Sequence, residues 1–218
     1  EDAEIRTYVQ ELREALNTPG AAQKTILLSD LDWAVEKDQS GLTAFDQAAY
    51  LSRSAFMLDE VGIRPLLAMR NDDSVRLGLG LLHRRRVVAP PMTEMAQSHD
   101  FKPAWWAMVQ TRRWLDEMKF AGAIEIQDVV PQRTTCLLYS RGEKCAAVLW
   151  RNDDLGAVSF ARTGIAVESA QDVLATPVSE NGGWYTVGRM PTIFTLNASA
   201  AKAANELRRK IGRASGRA

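Results

Sequence analysis

Two carboxylates stand out by position. Asp30 and Asp32 close the run Thr25-Ile26-Leu27-Leu28-Ser29-Asp30-Leu31-Asp32-Trp33, directly after a short apolar stretch. An acid at a strand end either caps the next loop or serves as a ligand or reacting group. Two acids in one mouth would repel each other and raise one pKa. A second polar set, Arg70-Asn71-Asp72-Asp73-Ser74, comes after a second apolar stretch, Ile63 to Met69. Asn71-Asp72-Asp73 and Asn152-Asp153-Asp154 read as turn formers, since the spacing of a calcium loop is missing. The chain has two His, His83 and His99, and two Cys, Cys136 and Cys145, with no zinc-ligand spacing among them. Neither Cys has a His nearby in sequence, so no thiol nucleophile, metal or cofactor is expected. His83-Arg84-Arg85-Arg86 is a run of donors that reads as a solvated loop or as an anion-binding patch.

The elements that must position these groups change character along the chain. Ile5, Tyr8, Val9, Leu12 and Leu16 share one helical face. Strand-length runs at 24–29 and 63–69 flank a helix expected over about 43–61, with Thr43 as its cap and Gly62 as its end. An irregular stretch then runs to Asp100. Pro103 suits the first turn of a helix to which Trp105, Trp106, Val109 and Trp114 give an aromatic side, a core or domain-interface surface. Helix, strand, helix, strand, helix predicts a parallel α/β arrangement. From about residue 122, seven short strands are expected: 123–126, 135–139, 145–150, 157–160, 165–167, 184–187 and 193–196. Arg-Gly, Asp-Asp, Thr-Gly and Asn-Gly-Gly turn signals separate them, which points to an antiparallel sandwich or barrel. Residues 198–211 look helical. The segment from Lys202 to Ala218 carries six basic residues and one acid, and reads as a solvated, frayed terminus or a patch for an anionic partner.

Composition limits the possibilities. The 218 residues hold 27 Lys plus Arg against 27 Asp plus Glu. A neutral total argues against a general nucleic-acid binder. No apolar run reaches the roughly 18 residues that cross a bilayer, and the acidic Glu1-Asp2-Ala3-Glu4 start is unlike a signal peptide. Cys136 and Cys145 face each other only if the intervening hairpin turns at Ser140-Arg141. Gly142 is the better turn residue, and a turn there takes them out of register, which favours two free, partly buried thiols over a disulfide.

Taken in order, these segments resemble retaining glycoside hydrolases of the large (β/α)8-barrel clan. The stretch ending in Ser29-Asp30-Leu31-Asp32-Trp33 resembles the end of that clan's seventh strand, which reads hydrophobic run, Thr or Ser, Glu, any residue, Gly, Trp. Gln47-Ala48-Ala49-Tyr50-Leu51-Ser52-Arg53 resembles its seventh helix, and Gly62 to Met69 its eighth strand. Gly78-Leu79-Gly80-Leu81-Leu82-His83 resembles the loop after that strand, and Lys102-Pro103-Ala104-Trp105-Trp106-Ala107 the start of its last helix. Ala147-Val148-Leu149-Trp150, the turn at Val173 to Ala175, and Pro191-Thr192-Ile193-Phe194 resemble the β-sandwich often attached there. The likeness runs over roughly residues 1–197.

The resemblance implies α/β plus all-β architecture: the C-terminal portion of a TIM barrel over 1–121, an antiparallel β-sandwich over 122–197 and a helical basic tail over 198–218. It places a nucleophile at Asp30 and substrate contacts at Asp32, Trp33, Arg70 and Asn71. Asp30 stands where the clan has Glu, Asp32 where it has Gly, and Met69-Arg70 where it has a sugar-stacking aromatic. Asp is one methylene shorter than Glu, which withdraws the attacking oxygen by about 1.5 Å. A misplacement of about 1 Å can cost on the order of 100-fold in rate. A barrel takes about 250 residues, whereas residues 1–121 offer two barrel-type strands. The expectation is therefore a non-catalytic relative that binds a polysaccharide or oligosaccharide, or serves as a scaffold. The rest of its barrel would come from the same protein or from another chain. The alternative is an active retaining glycosidase with Asp30 as nucleophile and an acid from a segment outside this chain. By resemblance the protein is expected outside the cytoplasm.

Overall fold

The computed structural model describes residues 7–8, 10–12, 14–15, 27–28, 43–65, 82–84, 99–125, 134–152, 155–161, 163–210 and 212–213. Strand β1 (Leu27–Leu28) pairs in parallel with β2 (Arg64–Pro65), Leu27 opposite Arg64. Helix α1 (Ala44–Glu60) lies between them in sequence. Parallel neighbours cannot be joined by a tight turn, so an intervening helix is the expected connection. Thr43 starts α1 with a capping box. Its hydroxyl accepts from the Asp46 N–H, and the Asp46 carboxylate accepts from the Thr43 N–H at 2.9 Å. Gly62, at φ +73, ends the helix as its N–H donates to the Asp59 carbonyl.

Residues Gln47 to Leu58 of α1 are all buried. A helix covered on every side belongs to an interior layer. One side meets α2 (Pro103–Glu117), whose buried stripe is Ala104, Ala107, Met108 and Thr111. That spacing is the helical repeat. At 100° per residue, Trp105 and Trp114 flank the stripe on its two sides, and both pack half-buried against the core. Trp106 and Val109 fall on the opposite side and are 51% and 45% exposed. The expected aromatic face therefore splits: the small residues make the helix contact, and Trp106 is not a core residue.

Two sheets and a helix make up the sandwich. Strands β5 (Lys119–Glu125), β6 (Thr134–Arg141), β7 (Lys144–Arg151), β12 (Thr192–Leu196) and β9 (Val167–Asp172) form an antiparallel five-stranded sheet in the order β5-β6-β7-β12-β9. Strands β8 (Gly156–Ser159), β10 (Glu180–Asn181), β11 (Trp184–Val187) and β13 (Gly212–Arg213) form a smaller sheet in the order β10-β11-β8-β13. The larger sheet is covered on both faces. Leu137, Tyr139, Ala146, Val148, Trp150 and Ile193 pack toward α1 and α2. Alternate residues Cys136, Leu138, Cys145, Ala147, Leu149, Phe194 and Leu196 pack toward the smaller sheet and α3 (Ala200–Lys210). Two apolar faces at period two read as one continuous apolar run, the pattern of Cys136 to Tyr139 and Cys145 to Trp150.

Two segments differ from expectation. The stretch before Asp100 contains an antiparallel ribbon, β3 (Leu82–Arg84) with β4 (His99–Phe101), so His83 and Arg84 lie on a strand and not in a loop. The C-terminal segment is not a free tail over its described part. Ala203 and Leu207 of α3 are buried in the sandwich core, and Gly212 and Arg213 pair with Ser159 and Val158.

Candidate functional site

Asp30 lies two residues past the end of β1, and Arg70 five past the end of β2. Strands β1 and β2 run parallel, and open α/β sheets bind ligands beyond the C-terminal ends of such strands. Asp30, Asp32, Trp33, Arg70 and Asn71 themselves lie outside the described residues. Among the described residues no group of three His, Cys, Asp or Glu could hold a metal ion. No described helix is long and apolar enough to cross a membrane.

A polar junction ties α1 to the sandwich. Arg53 is 2% exposed and donates from Nε to the Arg189 carbonyl and from Nη2 to the Arg151 carbonyl, both at 2.6 Å. Its guanidinium also lies over the Tyr50 ring, 5.5 Å from the centroid. The Arg151 N–H in turn donates to the Gly188 carbonyl at 2.8 Å. One planar cation thus satisfies carbonyls from two chain segments of the sandwich, a task suited to the Arg fork. At the start of the same helix, Arg189 approaches Asp46 at 3.5 Å. Burial alone would raise the Asp46 pKa, but the Thr43 hydrogen bonds and the Arg189 charge outweigh it and hold the carboxyl below its usual value. The only sequence signal for Arg53 is an arginine inside an otherwise small and apolar helix face.

The cysteines are inert. The hairpin turns at Gly142-Glu143, with Arg141 opposite Lys144 and Gly142 at φ +60. Glycine with positive φ at the first turn position suits a two-residue hairpin. Ser140 then faces Cys145, and Cys136 faces Leu149, so both thiols are free and buried. Burial pushes Cys136 up to about 12, with the neighbouring Cys145 adding to the shift, and pushes Cys145 to about 11. A thiol that stays protonated is a poor nucleophile. Tyr139 is raised further by burial, with Asp59 and Glu60 adding to it, and its hydroxyl donates to the Phe56 carbonyl at 3.3 Å.

An aromatic cluster lies on the surface at the start of α2. Phe101 is 51% exposed, with its ring 5.2 Å from Trp105 and 5.6 Å from Trp106.

These elements define a mixed α/β protein in which two helices, the first of them between a pair of parallel strands in sequence, cover one face of an antiparallel sandwich. The chain superposes on the crystal structure of a conserved exported protein from Bacteroides fragilis with a TM-score of 0.54 and 8% identity. The match covers 88% of this chain and 42% of that one, so the chain spans about two-fifths of the length of its solved neighbour. At that identity the likeness is one of fold. Lower-scoring alignments are with a GH30 endoxylanase from Clostridium papyrosolvens C71 and with Amy13B from Eubacterium rectale. The first has a TM-score of 0.43 and 10% identity over 83% of this chain and 43% of that chain. The second has a TM-score of 0.29 and 16% identity over 60% of this chain and 27% of that chain. No family model matches the sequence, and no curated protein matches it.

Proposed function

We propose that this chain is part of a glycoside-hydrolase-like protein that binds a polysaccharide or oligosaccharide without hydrolysing it. The observation that carries the reading is the parallel pairing of Leu27–Leu28 with Arg64–Pro65 on either side of α1. It supports a β/α repeat of the barrel kind whose strands precede Asp30 by two residues and Arg70 by five. The order of the later elements, α2 and then an antiparallel sandwich, agrees with the resemblance in the sequence.

Loss of hydrolysis is argued from chemistry. Retaining hydrolysis needs two carboxyl groups about 5–5.5 Å apart. At the nucleophile position the side chain is Asp30, shortened by one methylene, with the charged Asp32 two residues on. Carbohydrate binding tolerates both changes, since Asp32, Trp33, Arg70 and Asn71 still offer an aromatic face and hydrogen-bonding groups. The remaining barrel strands would come from elsewhere in the same protein or from a partner chain, and the setting would be extracytoplasmic.

The test uses the natural protein that contains this chain, as wild type and as Asp30→Asn. Binding to a panel of plant and microbial polysaccharides is read by affinity electrophoresis, and turnover by release of reducing sugar. Retention by at least one polysaccharide with no sugar release from either protein is the expected result. Release that falls on the order of 100-fold or more in Asp30→Asn would overturn the non-catalytic reading and make Asp30 a nucleophile. Neither binding nor release would leave a scaffold and defeat the carbohydrate role.

A further inference from the structure

We draw no further inference here: the strongest candidate, the exposed aromatic patch that Phe101 and Trp106 form at the start of α2, carries nothing because nothing in the structure shows what covers it.

Discussion

Arg53 joins two parts of the chain that are far apart in sequence. Its two donated bonds reach carbonyls of Arg189 and Arg151 from a helix more than ninety residues upstream. Replacing it with Met keeps much of the apolar stem but strands both carbonyls, each partly shielded from water. The expected net cost is about 2 kcal/mol. Arg53→Lys is expected to recover only part of it, since a point charge cannot serve both acceptors in the fork geometry. Urea denaturation of the three proteins measures this. The thiols make a second prediction at this scale. With Cys136 raised to about 12 and Cys145 to about 11 from an ordinary value of 9.0, the unfolded chain loses these protons first as pH rises. Their contribution to stability is complete below about pH 9 and fades as the pH climbs toward 11 and 12. A Cys136→Ala, Cys145→Ala protein should therefore lose less stability than wild type between pH 8 and 10.5. In the native protein at pH 8 iodoacetamide should label neither thiol, whereas unfolding in urea exposes both.

Elements here are set by caps and turns as much as by apolar patterning. The turn after β9 runs through Asp172, whose carboxylate accepts from the Leu174 and Thr176 N–H groups at 2.8 and 2.9 Å. Ala175 in that turn has φ +63 and is the one described non-glycine residue with positive φ. An L residue there costs roughly 1–2 kcal/mol, partly offset by the greater unfolded-state freedom of glycine. Ala175→Gly should thus stabilise the protein by about 0.5–1 kcal/mol, read as a higher urea midpoint at unchanged slope. A midpoint that falls would mean the turn carries no strain. Strand β9, Val-Glu-Ser-Ala-Gln-Asp, was hidden in the sequence beyond its first residue. It lies at the sheet edge and is held by its ladder to β12, so it needs no apolar alternation. Strand β5 was legible only in its second half. A bulge between Phe120 and Gly122 shifts its register and breaks the period of two.

At the scale of the molecule, the five-stranded sheet is the wall shared by two cores. Trp150 and Val148 face the helices, while Cys145, Ala147 and Leu149 face the smaller sheet and α3. Damage on one side should therefore weaken both. Leu207 of α3 is 2% exposed, and Leu207→Ala is expected to cost about 2–4 kcal/mol through lost burial and the cavity left behind. Tryptophan fluorescence and far-UV circular dichroism should report the same lowered midpoint, because the two cores unfold together. Two separated transitions would show that the helical layer and the sandwich are independent units.

The sequence by itself determined the helices over 43–61 and after Pro103 and the central strands, and it favoured the hairpin turn at Gly142, whose register in the structure leaves both thiols free. Each of these rests on local chemistry: a cap, a periodicity, or a glycine where φ must be positive. It also set out the order of segments behind the glycoside-hydrolase resemblance, and the placing of acids at Asp30 and Asp32. Only the tertiary structure decided which side of α2 is buried, that Arg53 links a helix to the sandwich, and that the basic C-terminal segment contributes Leu207 to a core. Those outcomes depend on which surfaces meet, and burial is a property of pairs of elements that no single stretch of chain encodes.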